Sequence, residues 1–179
     1  KAYENCKHPS FYFDFGAYKK AVGGNTTPYT PAVSLIIALN ETLKMMKAEG
    51  LDNIMNRHAR LANALRAALR AMGLKLFVED DEIASNAITA ILPPDGISVA
   101  DIRKGLKQDF DIVVADGQGQ LKGKIFRMGH LGFVSERDII ASVGALEITL
   151  AKLGHNFQKG AGLQTLMSTL AENRTIIKV

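Results

Sequence analysis

Residues 51–73 read LDNIMNRHARLANALRAALRAMG, and within them Leu51, Ile54, Met55, His58, Leu61, Ala62, Leu65, Leu69 and Met72 recur at three- and four-residue intervals before Gly73. That spacing puts them on one stripe of an amphipathic helix, which the glycine ends. Downstream the period shortens. Leu74 to Val78 reads as a short strand, and Asn86 to Leu92 as a second, stopped by Pro93-Pro94. Ser98-Val99-Ala100-Asp101 is a capping-box pattern that opens a helix to about Asp109. Ile112 to Ala115 and Lys124 to Met128 read as two more strands, joined by a loop containing Gly117, Gly119 and Gly123. A second box, Ser135 to Asp138, starts a helix with Ile139, Ile140, Val143, Leu146, Leu150 and Leu153 on one face. The order β-β-α-β-β-α behind a long helix predicts an α+β fold, a small and mostly antiparallel sheet with helices on one face.

Upstream, Lys1 to Gly24 is aromatic and irregular, with Phe11, Tyr12, Phe13 and Phe15 close together, and reads as an arm packed on something larger. Asn25-Thr26-Thr27-Pro28-Tyr29-Thr30-Pro31 follows as a stiff polar loop, in which Thr30 is placed to cap a helix and Pro31 to fill its first position. That helix is expected to run to about Glu49. Val33, Leu35, Ile36, Ile37 and Leu39 make its first half apolar on most sides, which predicts burial by more than one neighbour. At the other end Leu163, Leu166, Met167 and Leu170 predict a last helix, loosely attached.

Composition narrows the classes. The chain has 179 residues, one Cys, no Trp, 22 Lys+Arg and 18 Asp+Glu. Length alone allows one compact domain, or one plus an appendage, with no disulfide or metal needed to hold its core. The single Cys6 fits a reducing compartment and hence the cytoplasm, and no membrane span or signal-peptide pattern is present. Each half carries 11 basic and 9 acidic residues, so charge is not concentrated as nucleic-acid binding requires. Arg57, Arg60, Arg66 and Arg70 spread over about half a helix circumference at ~100° per residue, together with Asn53, Asn56 and Asn63. They read as an ordinary solvated face. The first residue is Lys1 rather than Met, which predicts a piece of a longer protein.

Few residues offer chemistry. His8, His58, His130 and His155 are far apart and lack partners at ligand spacing, so no metal site is predicted. His58, in the middle of an apolar stripe, reads as a core histidine with a satisfied ring nitrogen. Cys6 has only Lys7 and His8 beside it to lower its pKa, too little for a nucleophile. Gly117-Gln118-Gly119-Gln120 is not followed by a helix start and reads as a flexible strand connection rather than a phosphate loop. Two places remain. Thr27, Tyr29 and Thr30 precede a proline-started helix whose free N–H groups and positive dipole end suit a phosphate, or the loop is simply a stiff cap. Arg127 lies between Phe126 and Met128 at a strand end followed by Gly129 and Gly132. A guanidinium there suits bidentate capture of a carboxylate, or it pairs with an internal Asp or Glu.

Three motifs in order carry a resemblance: Thr27-Pro28-Tyr29-Thr30-Pro31-Ala32-Val33-Ser34-Leu35, then Asn56-Arg57-His58-Ala59-Arg60-Leu61, then Phe126-Arg127-Met128-Gly129-His130-Leu131-Gly132. Over residues 1 to about 155 the chain resembles the C-terminal part of class V pyridoxal-phosphate aminotransferases. Within them it is similar to the serine–pyruvate and alanine–glyoxylate branch, including members labelled soluble hydrogenase small subunit. The resemblance implies a fold-type-I homodimer that moves an amino group between a small amino acid and a 2-oxo acid. It implies pyridoxal 5'-phosphate as cofactor, a partner-reaching phosphate loop at Thr27, Tyr29 and Thr30 without choosing among them, and Arg127 as holder of the substrate α-carboxylate. It also implies that residues 1–49 are the arm, cofactor-phosphate loop and interdomain helix from the large-domain side, with residues 50–179 the C-terminal small domain and a helical tail.

The family's cofactor-bearing lysine lies in a Ser/Gly-rich segment before a proline-glycine turn. None of Lys1, Lys7, Lys19 or Lys20 has that setting, and the aspartate partner of the cofactor ring is also lacking. Both are expected upstream of Lys1 in the large domain, so no catalytic residue is assigned in this chain, and the chain alone is expected to be inactive. The segment from His155 onward extends past the family's usual end. An alternative from another class is a non-catalytic interaction module or hydrogenase-associated subunit.

Overall fold

The computed structural model describes residues 3–5 and 10–172. Lys1, Cys6, Lys7, His8 and the last seven residues lie outside it, and with them the expectations placed on Cys6. The chain divides into two compact units, residues 1–50 and 51–179.

In the first unit Asp14 caps α1 (Phe15–Gly23) by accepting the Gly16 N–H at 2.8 Å, so part of the segment expected to be irregular is helical. The loop after it leads into α2 (Val33–Glu49), which starts later than the sequence predicts. The reason is local. The Val33 N–H bonds to the Pro31 carbonyl at 2.9 Å, closing a tight turn with Ala32 at φ −76°, ψ 66°. Those angles are an inverse γ-turn, so Ala32 is the cap residue and Thr30 and Pro31 stay outside the helix. α2 ends at Gly50, whose φ of +86° suits only glycine. No residue of α2 is buried, and Val33, Leu35, Ile36, Ile37 and Leu39 are all exposed. The predicted cover for this apolar helix is not found among the described residues.

In the second unit α3 (Leu51–Ala71) is followed by β1 (Ile88–Ile91), α4 (Val99–Phe110), β2 (Ala115–Asp116), β3 (Phe126–Gly129), α5 (Glu136–Lys152) and α6 (Ala161–Glu172). The strands form an antiparallel sheet in the order β1-β3-β2. Leu74–Val78, predicted as a strand, contributes only a bridge between Leu76 and Ile91. Both predicted serine caps form, and one closes as a full box: the Asp101 N–H bonds Ser98 Oγ at 3.0 Å while the Asp101 carboxylate accepts that hydroxyl, whereas Asp138 reaches back to the Ser135 N–H at 2.7 Å. These contacts hold the Asp138 carboxyl below its ordinary pKa. The glycine-containing connection before β3 is compact rather than flexible. A Cβ on Gly117 would lie 2.0 Å from the Leu121 carbonyl oxygen, and Asp116 Oδ1 accepts the Gly123 N–H at 2.8 Å.

One core joins Leu61, Leu65 and Leu69 of α3, Ile91 and Phe126 of the sheet, and Leu146 of α5 with its neighbours. α6 belongs to it. Leu166 is fully buried and α6 packs along α3, which corrects the expectation of a loose attachment. Its anchor is Glu147 of α5, a buried carboxylate that accepts the N–H groups of Gly160 (3.0 Å), Gly162 (2.7 Å) and Leu163 (3.2 Å). An anionic oxygen at a helix N-terminus satisfies donors that have no carbonyl one turn below. Gly162 has to be small here: a Cβ would come within 2.8 Å of Glu147 Oε1 and 2.9 Å of Met72.

Two consequences are measurable by denaturant unfolding of the full-length protein. Leu166→Ala is expected to cost about 2–5 kcal/mol through the cavity it leaves. Glu147→Ala is expected to cost about 1–3 kcal/mol, because it strands three N–H donors.

Candidate functional site

The first candidate place is the loop of residues 25–32. Tyr29 stacks on Tyr12 with ring centroids 5.0 Å apart, and its hydroxyl donates to the Phe11 carbonyl at 2.6 Å. Thr27 Oγ1 donates to the Tyr29 carbonyl at 2.8 Å. Both hydroxyl protons are therefore spent inside the unit, tying the aromatic arm to the loop. Thr30 differs: it is exposed, and its hydroxyl bonds to none of the described residues. Beside it the amides of Ser34 and Leu35 open α2, where a helix leaves N–H groups without intrahelical partners. A neutral hydroxyl and helix-terminal amides, with no carboxylate bonded to the loop, form a donor set that fits a phosphate monoester.

The second place is the outer face of the sheet. Along β3, Phe126 and Met128 are buried and Arg127 alternates to the other side. Its cross-strand neighbours are Ala90 on β1 and Ala115 on β2. Two methyl groups cover little of a long side chain, and Arg127 is half-buried where its neighbours Phe126 and Met128 are buried. Arg127 Nε donates to the Asp116 carbonyl at 2.9 Å. No carboxylate among the described residues pairs with Arg127, and the Asp116 side chain turns instead to Arg103 at 3.5 Å and to the Gly123 amide. Of the two readings open at this position, the internal ion pair is absent among the described residues. The terminal nitrogens remain for an oxygen pair from outside.

The strand end that carries Arg127 is held from both sides. His130 is fully buried; its Nδ1 lies 3.0 Å from the Asn86 carbonyl and its Nε2 lies 2.9 Å from Thr89 Oγ1. A carbonyl only accepts, so the proton sits on Nδ1 and Nε2 takes the threonine hydroxyl. From α3, His58 Nδ1 donates to the Ile54 carbonyl at 2.6 Å, and His58 Nε2 accepts the Gly132 N–H at 3.0 Å. Arg57 donates to the carbonyls of Gly132 (3.1 Å) and Val134 (2.9 Å), and Arg60 pairs with Glu136. His58 has both ring nitrogens bonded, yet it is half-buried and outside the core, in the first turns of α3 where Leu51 and Met55 are exposed; the predicted core position is thus corrected, because the stripe packs only from Leu61 onward.

The arginine run, however, is not a solvated face. Arg66 is 2% exposed and lies 2.8 Å from Asp81, while Arg70 bonds the same carboxylate at 2.8 Å through each of its two terminal nitrogens. The Arg70 bonds, reinforced by Arg66, hold the Asp81 carboxyl below its ordinary pKa. Arg66 does bond Asn63 one turn away, but the other targets of Arg57, Arg60, Arg66 and Arg70 lie nine or more residues along the chain, where sequence spacing could not reveal them, and are loop carbonyls and carboxylates. Among the described residues no group of three His, Cys, Asp or Glu lies together as a metal ion would need, and no helix is long and apolar enough to cross a membrane.

The family described as aminotransferase class-V matches residues 26–129, more than half of the chain and both candidate places. The chain belongs to the class V aminotransferases. It is 52% identical over 164 residues to a soluble hydrogenase 42 kDa subunit of Anabaena cylindrica, covering 91% of this chain and 42% of that protein. It is 36% identical over 162 residues to a serine–glyoxylate aminotransferase of Methylorubrum extorquens, covering 90% and 40%. Among solved structures, ureidoglycine–glyoxylate aminotransferase from Bacillus subtilis superposes with a TM-score of 0.87 at 29% identity, over 95% of this chain and 44% of that one. The chain thus spans less than half the length of these relatives. The class V family is one of pyridoxal-phosphate enzymes, and the α+β sheet-and-helix layer seen here is shared with these neighbours.

The buried histidine makes the strand end pH-sensitive. Desolvation lowers the His130 pKa below its ordinary 6.5. The native state therefore binds fewer protons than the unfolded chain, and stability is full above pH 6.5 and falls as pH drops through the lower, native value. Melting temperature is expected to decline from pH 7 to pH 5 in the full-length protein, and the decline to flatten in His130→Gln.

Proposed function

We propose that the whole protein is a pyridoxal-phosphate-dependent aminotransferase that exchanges an amino group between a small amino acid of the serine or alanine class and a 2-oxo acid such as pyruvate or glyoxylate. The observation that carries this reading is the fork of Arg127, which has no internal carboxylate partner among the described residues and stands on an open sheet face between two alanines. Amino acids and 2-oxo acids share one feature, an α-carboxylate, and a planar guanidinium binds and orients it through two parallel N–H···O bonds. Strand pairing on both sides fixes the Arg127 backbone, so little ordering remains to be done when the carboxylate arrives.

Pyridoxal phosphate, when bound, supplies a carbonyl carbon for the amino group and an electron-withdrawing ring. The role of this chain toward it is to hold the phosphate. Thr30 and the first amides of α2 are the donors we assign. Thr27 and Tyr29 support the loop, because their protons are engaged elsewhere. In a homodimer this loop grips the phosphate of the partner's cofactor. The exposed apolar residues of α2 support an assembly with the large domain and a second subunit, since such a surface is uncommon on a free monomer. We place the protein in the cytoplasm. The lysine and the ring-binding aspartate belong, in this reading, to the large domain.

In the full-length protein Arg127→Ala is expected to raise KM for the amino acid by about 100-fold, as loss of a charged hydrogen-bonded pair implies, with cofactor absorbance retained. An unchanged KM would remove the assignment. Thr30→Val is expected to weaken cofactor retention about tenfold, the size of one hydrogen bond to a charged group, measured by dialysis and absorbance, while Thr27→Val changes it less.

A second reading has its own support in the 52% identity to a protein named as a hydrogenase subunit. In it the whole protein binds a hydrogenase component without transferring amino groups. A full-length protein that never takes up pyridoxal phosphate yet co-purifies with a hydrogenase from native lysate would favour this reading over ours.

A further inference from the structure

The outer row of β3 continues past Arg127. Gly129 is the next residue on that side, paired with Ile88 of β1, and Leu131 follows it in the turn. Gly129 offers no side chain, so the row has a notch beside the guanidinium. Leu131 leans over it: a Cβ on Gly129 would lie 3.5 Å from Leu131 Cδ2, and the Leu131 side chain is otherwise open, at 57% exposure. Ile88, also exposed, borders the same notch from β1.

A leucine on a surface turn ordinarily samples several positions. Here its backbone is fixed. The Gly132 N–H is taken by His58, the Gly132 and Val134 carbonyls by Arg57, and the His130 N–H by the Ala87 carbonyl at 2.9 Å. Four hydrogen bonds from two neighbouring elements surround one exposed apolar side chain, and none of them serves the hydrophobic core. Gly132, at φ +78°, is the residue that lets the chain turn back between them.

We infer that Leu131 is a specificity-determining residue: it is the wall that limits how long an aliphatic group can lie beside a carboxylate held on Arg127. This rests on the assignment of Arg127 to the carboxylate. The Nε side of the guanidinium is turned to β2 by its bond to Asp116, and the apolar surface nearest to Arg127 along its own strand is the one made by Ile88, Gly129 and Leu131. A short chain on the bound acid fits between the fork and the leucine. A longer one meets Leu131, whose place over Gly129 is set by the backbone bonds on either side of it. His58 and Arg57 act through that turn and are positioning residues.

The test measures binding rather than turnover. Dissociation constants of the full-length protein for acetate, propionate, butyrate and valerate are determined by calorimetry, for wild type, Leu131→Ala and Arg127→Met. Wild type is expected to bind acetate and propionate and to lose affinity at butyrate and valerate. Leu131→Ala is expected to bind acetate within twofold of wild type and to gain roughly tenfold for valerate relative to acetate, the size of effect one or two methylenes produce in an apolar site. Because Leu131 is exposed, its replacement leaves the core intact, and a circular dichroism melt verifies this. An unchanged valerate-to-acetate ratio in Leu131→Ala, with acetate binding lost in Arg127→Met, overturns the role of Leu131 and leaves Arg127 standing. Acetate binding that survives in Arg127→Met overturns the carboxylate assignment and, with it, this inference.

Discussion

The two-residue alternation along β3 is the constraint on which the second unit depends. Because helices cover only one side of the sheet, Phe126, Met128 and His130 are driven inward, and everything between them is left facing out. A slip of one residue would bury the Arg127 guanidinium without a partner and expose Phe126, reversing both at once. The packing of Phe126 against the α3 and α5 leucines is thus also what aims Arg127. Core and site are two faces of a single register.

α3 makes long-range polar contacts while also supplying the core. One stripe carries Leu61, Leu65 and Leu69; the flanking arginines and His58 reach loops that have no secondary structure of their own. Loop carbonyls brought close to a buried surface need donors, and a guanidinium supplies several from one side chain. Arg66 and Arg70 share one carboxylate, so the negative charge of Asp81 serves two cations at the edge of the core. Surface arginines would add little to stability. These are placed where they determine backbone position.

Much of this could be read from sequence, and the boundary between what could and could not is physical. The α3 stripe from Leu61 onward, both serine caps and the strands around Ala90 and Arg127 are local patterns, visible within a few residues. Leu74–Val78 has strand composition and reaches the open edge of β1, yet it pairs only at Leu76, because composition does not say how far two segments run side by side. The γ-turn at Ala32 depends on backbone angles after Pro31 that no residue type dictates. Thr27, Tyr29 and Thr30 look equivalent as hydroxyls, and only the bonds to Tyr29 and Phe11 separate them. The attachment of α6 was hidden for a similar reason: its cap, Glu147, sits in a different helix, where it looks like one more surface acid.

That cap has an implication for how the chain assembles. α6 packs on α3, and roughly 100 residues separate them, a long loop to close. Since Glu147 supplies the acceptors for the first turn of α6, the last helix gains its start only once α5 is in place. During synthesis the α3 stripe therefore meets its permanent partners in stages, the sheet and α5 first. The side of α3 that packs on α6 is left uncovered longest, and apolar surface exposed in a growing chain is open to wrong contacts.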